Sequence, residues 1–209
     1  MINVEKQVNL SEKKKCLRKQ ILKIRNEMPQ RERQEKSEEI RQKLYQLPDY
    51  QKADVIFAYV DYQTEVITTP ILEKAITDGK EVYCPRVDGM EMDFYRIMGL
   101  EDLAEGYKGI REPLPETERM YTALGKEESR RIFMLMPGAV FDKDRHRIGY
   151  GKGFYDRYLS RMENIGIFVA ALAYEKQMVQ KIPAEPHDIR PDIIITEENI
   201  YGNFLAEKN

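Results

Sequence analysis

Residues 165–173 read IGIFVAALA, and the same density of β-branched, aliphatic and aromatic residues returns at 54–60 (DVIFAYV), 132–136 (IFMLM) and 192–196 (DIIIT). None of these runs alternates apolar with polar residues as a half-solvated strand does, so each reads as a strand buried on both faces. Two further strands are expected at 80–84 (KEVYC) and 93–97 (DFYRI). Helical stretches lie between them: 68–78, closed by Gly79 in a C-terminal capping position, and 152–162, with Phe154, Tyr158 and Leu159 on one side. Strands separated by helices predict an α/β fold, a mostly parallel sheet with helices on both faces.

Toward the N-terminus the pattern turns helical. In KKKCLRKQILKIR (13–25) and just beyond, Leu17, Ile21, Ile24 and Met28 recur at helical spacing, which predicts one inward stripe, with Ser11 as N-cap and Pro29 as the stop. A second helix is expected over 30–46, with Ile40, Leu44 and Leu47 inward and Pro48 ending it. Residues 105–130, opening with Gly106, Gly109, Pro113 and Pro115, read as a surface loop. No repeat, low-complexity segment or linker divides the chain, so residues 1–209 are expected to form one domain.

Composition limits the function classes. Of 209 residues, 42% are hydrophobic and 33% charged, enough apolar surface for a core and against a disordered chain. The formal net charge is -2, so the whole chain is not a basic nucleic-acid binder, although residues 1–50 carry thirteen Lys and Arg against eight acids. The apolar runs fall short of the roughly 20 residues a membrane span needs. The N-terminus has no apolar stretch after its charges and does not read as a signal peptide. Cys16 and Cys84 make neither a disulfide framework nor a zinc set. A cytoplasmic location, no nucleic acid, no membrane and a monomer are expected.

The chemistry concentrates in PGAVFDKDRHRIGYGKGFYDRY, 137–158. Gly149, Gly151 and Gly153 alternate, with Arg147, Lys152 and Arg157 around them. Alternate glycines let the backbone turn sharply and free consecutive N–H groups to face an anion. A helix beginning near Gly153 adds its positive end, and Lys152 and Arg147 neutralise phosphate oxygens. A P-loop is excluded because Lys152 is followed by Gly153 rather than Ser or Thr. The dinucleotide fingerprint is excluded by Phe154, where a glycine is required, and by the expected absence of a strand directly before the loop. On spacing alone a flexible surface loop is the other reading. Against it stand the rings of Phe154, Tyr155 and Tyr158, suited to stacking on a heterocycle, and Asp156 in the first helical turn. Mg2+ takes one or two carboxylates with phosphate oxygens, so Asp156 beside a phosphate cradle is a candidate ligand. His146 and His187 read as loop histidines.

These residues resemble the 5-formyltetrahydrofolate cyclo-ligase (methenyltetrahydrofolate synthetase) family. The resemblance runs through KKCLRKQILKIR (14–25), AYVDYQTEVIT (58–68), MPGAVFD (136–142), RIGYGKGFYDRYL (147–159) and LAYEKQMVQKIPAEPHD (172–188), in family order over nearly the whole chain. It implies a Rossmann-like α/β sheet and ATP-dependent conversion of 5-formyltetrahydrofolate to 5,10-methenyltetrahydrofolate, with Mg2+ required and ADP and phosphate released. It implies that Lys14 and Arg18 contact ATP, together with Arg147, Ile148, Gly149, Tyr150, Gly151, Lys152, Gly153, Phe154 and Tyr155. Residues 150–154 would also border the folate, with Glu65 as a polar contact and Val60 as an apolar one. Asp156 and Asp188 match the magnesium positions, and Lys152 and Arg147 are the expected catalytic cations. Phe154 stands where Tyr is common, and Lys152 where many bacterial relatives have Gly. Two other readings remain: a sugar-phosphate isomerase, which needs no ATP, and a module binding RNA or an acidic partner through helix 13–25.

Overall fold

The computed structural model describes residues 2–116, 119–122, 130–162, 165–183 and 188–202, with residues 2–9 described by backbone only. Helix α1 (Ile2–Asn26) is followed by α2 (Gln30–Tyr45), α3 (Pro48–Lys52), β1 (Val55–Ala58), α4 (Thr69–Thr77), β2 (Glu81–Asp88), β3 (Glu91–Ile97), β4 (Leu103–Glu105) and β5 (Arg111–Pro113). Then come β6 (Ile132–Met136), β7 (Val140–Asp142), β8 (Arg147–Ile148), α5 (Phe154–Arg161), β9 (Ile167–Leu172), β10 (Met178–Val179), β11 (Ile193–Ile195) and β12 (Ile200–Gly202).

The main sheet has the order β12-β11-β9-β6-β1-β2-β3, parallel throughout except for its two antiparallel edge strands, β12 and β3. Both faces are covered, which is why its central strands lack polar alternation. Ile56 and Ala58 of β1 join Ile40 and Leu44 of α2 and Ile71, Leu72 and Ala75 of α4. Val55 and Phe57, pointing the other way, join Phe94, Met134 and the α5 residues Tyr158 and Leu159.

Local chemistry sets the ends of the helices. After α4, Gly79 adopts φ +78°; its N–H and that of Lys80 bond to the carbonyls of Ile76 and Ala75, a glycine-dependent closure of the last turn. Pro29 caps α2, and Pro48 occupies the first turn of α3, so it starts one helix as well as ending another.

Several expectations change. Helix α1 begins far before Ser11, which is exposed in its middle: residues 2–10 hold no proline or glycine to stop it. Ile24 is 43% exposed, whereas Ile21 and Arg25 are buried. At 100° per residue the protein-facing side of α1 centres between Ile21 and Arg25, and it includes Lys14 and Arg18. Of the expected stripe, Ile21 and Met28 are buried and Leu17 packs partly buried against the Ile21 cluster, so Ile24 is the member that turns outward. Strands 80–84 and 93–97 are parts of one long hairpin turning at Gly89 (φ +58°). The first part of the expected surface loop contributes β5, which pairs with β4 just before it in a second small hairpin; residues 117–118 and 123–129 lie outside the described residues. A strand, β8, does directly precede the glycine loop. It belongs to a small sheet, β10-β7-β8, and is too short for its period to show in sequence.

The chain starts at the centre of the sheet with β1, moves out to β2 and β3, then returns to lay β6 on the other side of β1. Between β1 and β6 the direction of winding reverses, and ligands of open α/β sheets bind outside the carboxyl ends of strands at such a point. The segments leaving those two ends are 59–68 and 137–153.

Candidate active site

The segment after β1 is tied off by Asp61. Its carboxylate accepts the Thr68 and Thr69 N–H groups, each at 2.9 Å. This closed loop presents Glu65, whose Oε2 accepts the Tyr62 N–H at 3.1 Å. Val60, 3% exposed, packs into the core beside Tyr59 and Val66.

The segment after β6 returns through the β7–β8 hairpin, whose turn is held by the buried carboxylate of Asp142. It accepts the His146 N–H (2.9 Å), bonds His146 Nδ1 (3.0 Å) and accepts the Ile182 N–H (2.8 Å). His146 is thus a buried clamp rather than a solvated loop histidine, and His187 lies outside the described residues. Asp142, Asp144 and His146 cluster at a spacing open to a metal ion. The three bonds already made to Asp142 account for its carboxylate without one.

From this hairpin the glycine loop emerges. Gly151 has φ +88°, and Gly153, φ +66°, is the residue before α5. Side chains reach the loop from two sides. Arg18 Nη1 lies 3.4 Å from the Gly149 carbonyl and over the position a Gly151 Cβ would take. A Cβ at Gly149 would sit 2.8 Å from Arg147 Nη1. The Arg147 side chain is 6% exposed, pairs with Asp156 Oδ1 at 2.8 Å, and keeps a buried Nε with no partner among the described residues. Arg157 Nη1 donates to the Lys152 carbonyl at 2.8 Å and stacks over Phe154. The Lys152 side chain is exposed. Lys14 Nζ bonds Asp188 Oδ2 at 2.6 Å.

The structure brings the expected residues together in pairs: Lys14 with Asp188, Arg18 with Gly149 and Gly151, Arg147 with Asp156, and Tyr150 with Glu65. The Tyr150 hydroxyl donates to Glu65 Oε1, joining the segments that leave β1 and β6. Burial pushes the Glu65 carboxyl up; the Tyr150 hydroxyl, the Arg25 charge and the Tyr62 N–H oppose that shift. Burial, then the Glu65 charge, pushes the Tyr150 phenol up as well. The aromatic expectation needs correction. Tyr158 is 4% exposed and belongs to the core, Tyr155 packs edge-on against Phe94, and Phe154 is edge-on to Tyr107. The exposed ring of the loop is Tyr150. Sequence reading missed Arg25, which bonds the Tyr150 hydroxyl at 2.8 Å; its seven-residue spacing from Arg18 was the available signal.

The donor set suits Mg2+ with a polyphosphate: hard carboxylate oxygens on Asp156 and Asp188, each beside a cation, and a buried Arg147 Nε in need of an acceptor.

The family model described as the 5-formyltetrahydrofolate cyclo-ligase family matches residues 10–197. The chain belongs to that family. It is 30% identical over 200 residues to the mouse 5-formyltetrahydrofolate cyclo-ligase, covering 92% of this chain and 97% of the relative. The Haemophilus influenzae 5-formyltetrahydrofolate cyclo-ligase is 26% identical over 182 residues, 86% and 95% of the two chains. Among solved structures, the Aquifex aeolicus 5,10-methenyltetrahydrofolate synthetase matches with a TM-score of 0.77 and 32% identity, covering 94% of each chain. Family membership makes the chain an enzyme, a cyclo-ligase, and the mixed α/β fold is shared. No helix among the described residues is long and apolar enough to cross a membrane.

Proposed function

We propose that the chain converts 5-formyltetrahydrofolate to 5,10-methenyltetrahydrofolate at the expense of ATP, releasing ADP and phosphate. It would do so as a cytoplasmic monomer whose single Rossmann-like domain spans residues 1–209. The observation that carries this reading lies at the β1/β6 switch point, beside the groove that Arg18, Tyr150 and Gly151 line. Arg18 and Arg147 reach the glycine loop there, and a carboxylate, Glu65, is joined to that loop through Tyr150.

A formamide carbon is a poor electrophile, so its oxygen must first be made a leaving group. In this reading the formyl oxygen on N5 attacks the γ-phosphorus and ADP leaves. N10 then closes on the activated carbon of the phosphorylated imidate, and phosphate departs. Such transfers need positioning and charge neutralisation more than a nucleophile from the protein. Lys14, Arg18, Arg147 and Lys152 supply the cations. The main chain of 148–153 and the N-terminus of α5 supply N–H groups and a positive dipole. Glu65 takes the N–H edge of the pterin, as carboxylates take amidine-like groups, and Val60 is the apolar contact. Mg2+ held by Asp156 and Asp188 would offset the negative charge of the phosphate oxygens.

The test mixes protein, Mg-ATP and 5-formyltetrahydrofolate and follows the near-ultraviolet absorbance of the methenyl product. Product that requires ATP is expected. No product with both substrates, or equal product without ATP, overturns the reading.

A further inference from the structure

Arg25 lies in α1, seven residues beyond Arg18, and is 4% exposed. Its Nε donates to Thr64 Oγ1 at 3.1 Å and its Nη1 to the Tyr150 hydroxyl at 2.8 Å, with the guanidinium 5.7 Å from the centre of the Tyr150 ring. A guanidinium stays charged in proteins, and a buried charge needs compensation. None of the ion pairs formed by the described residues involves Arg25. The negative group it acts on is Glu65, one hydroxyl away. A phenol has a single proton to give. Here it is given to Glu65 Oε1, because the Arg25 donor already occupies a lone pair of the same oxygen. The direction of the chain is thereby set: Arg25 to Tyr150 to Glu65.

We propose that Arg25 is a positioning residue for the reaction, holding the Tyr150 hydroxyl on Glu65 and so fixing the orientation and charge of the carboxylate that receives the folate. The inference rests on the proposed function for its substrate, but its geometry belongs to the protein alone. Arg25 ties together the segments leaving β1 and β6, through Thr64 beside Glu65 and through Tyr150 in the glycine loop. With its Oε1 held by Tyr150 and its Oε2 by the Tyr62 N–H, Glu65 keeps one orientation and presents its remaining lone pairs to a ligand.

Several groups face this carboxylate. Arg25 comes from α1, Tyr150 from the glycine loop, Tyr155 from α5, and Tyr59, Asp61 and the Tyr62 N–H from the segment after β1. Arg25 is the cation among them and Asp61 the second anion. Burial raises the Glu65 carboxyl from its ordinary value, so it loses its charge earlier as the pH falls. Without Arg25 that loss moves to still higher pH.

The test compares the parent with Arg25→Gln, Arg25→Lys, Tyr150→Phe and the double variant Arg25→Gln/Tyr150→Phe. Steady-state rates are measured over a pH series with each substrate varied in turn. Arg25→Gln is expected to raise KM for 5-formyltetrahydrofolate about tenfold or more, the loss of one hydrogen bond from a charged donor. KM for ATP should stay within about twofold, a smaller change than one such bond. The acid limb of kcat/KM for the folate should move to higher pH, and Arg25→Lys should bring it back toward the parent. The double variant should be no worse than the poorer single one, because both act on one chain of bonds. An unmoved acid limb, equal rises in both KM values, or additive losses would overturn the proposal. A second readout needs no turnover. With carboxyl-13C glutamate, the Glu65 resonance is identified by its loss in Glu65→Gln, and its titration midpoint should rise in Arg25→Gln. An unchanged midpoint defeats the positioning role even in an active enzyme. A raised midpoint in a parent that makes no methenyl product upholds it and defeats the proposed function instead.

Discussion

Arg147 and Asp156 are joined by an ion pair of 2.8 Å that bridges the two ends of the glycine loop, the strand that enters it and the helix that leaves it. The pair holds an expected phosphate-binding cation beside an expected magnesium ligand. Asp156→Asn keeps an oxygen for Arg147 while removing the charge. The rate of methenyl formation should then need about tenfold more Mg2+ or beyond, in the range seen when groups around a metal are altered. The Asp156 side chain is 37% exposed, so the pair is discounted for solvent, and the thermal midpoint should move by less than about 4 °C. A magnesium titration matching the parent's removes Asp156 from the metal site.

Lys152 is exposed, and its backbone carbonyl is held by Arg157. Lys152→Ala should therefore leave the unfolding curve unchanged. It should lower kcat and raise KM for ATP together, with kcat/KM falling about 100-fold if the cation meets the transferring phosphate. Kinetics equal to the parent's would take it out of the mechanism.

Gly151 sits at φ +88°, with Arg18 over the place a side chain would need. Gly151→Ala costs about 1–2 kcal/mol of backbone strain and displaces Arg18. KM for ATP should rise while the far-ultraviolet circular dichroism of the sheet and helices is retained. A variant with the parent's KM would show that the loop tolerates a Cβ and that Arg18 is not needed there.

Phe57 is fully buried under α5 and stacks on Phe94 at 4.8 Å. Phe57→Ala should cost about 3–5 kcal/mol, read from urea unfolding. Because β1 also carries the segment bearing Glu65, the loss should be accompanied by weaker folate binding. A cost below about 1 kcal/mol would mean that the ring is not packed as described.

Much of the fold was legible because its central strands are buried twice over. Val55, Ile56, Phe57 and Ala58 are all fully buried, and no polar residue interrupts them. The small sheet and the edge strand β12 were not legible, since two or three residues carry no period. Arg25 was missed for a different reason. A basic residue on a basic helix reads as solvated, and its burial follows only from the approach of Thr64 and Tyr150 from distant parts of the chain.

Residue types along the chain determined the layered α/β architecture, the glycine loop and the family, since each depends on local period, backbone freedom or a run of residue types. Tertiary structure alone decided which charges meet. Lys14 with Asp188, Arg147 with Asp156, and Arg25 with Glu65 through Tyr150 depend on sheet order and helix rotation. Electrostatic coupling falls with distance through space and takes no account of separation along the chain.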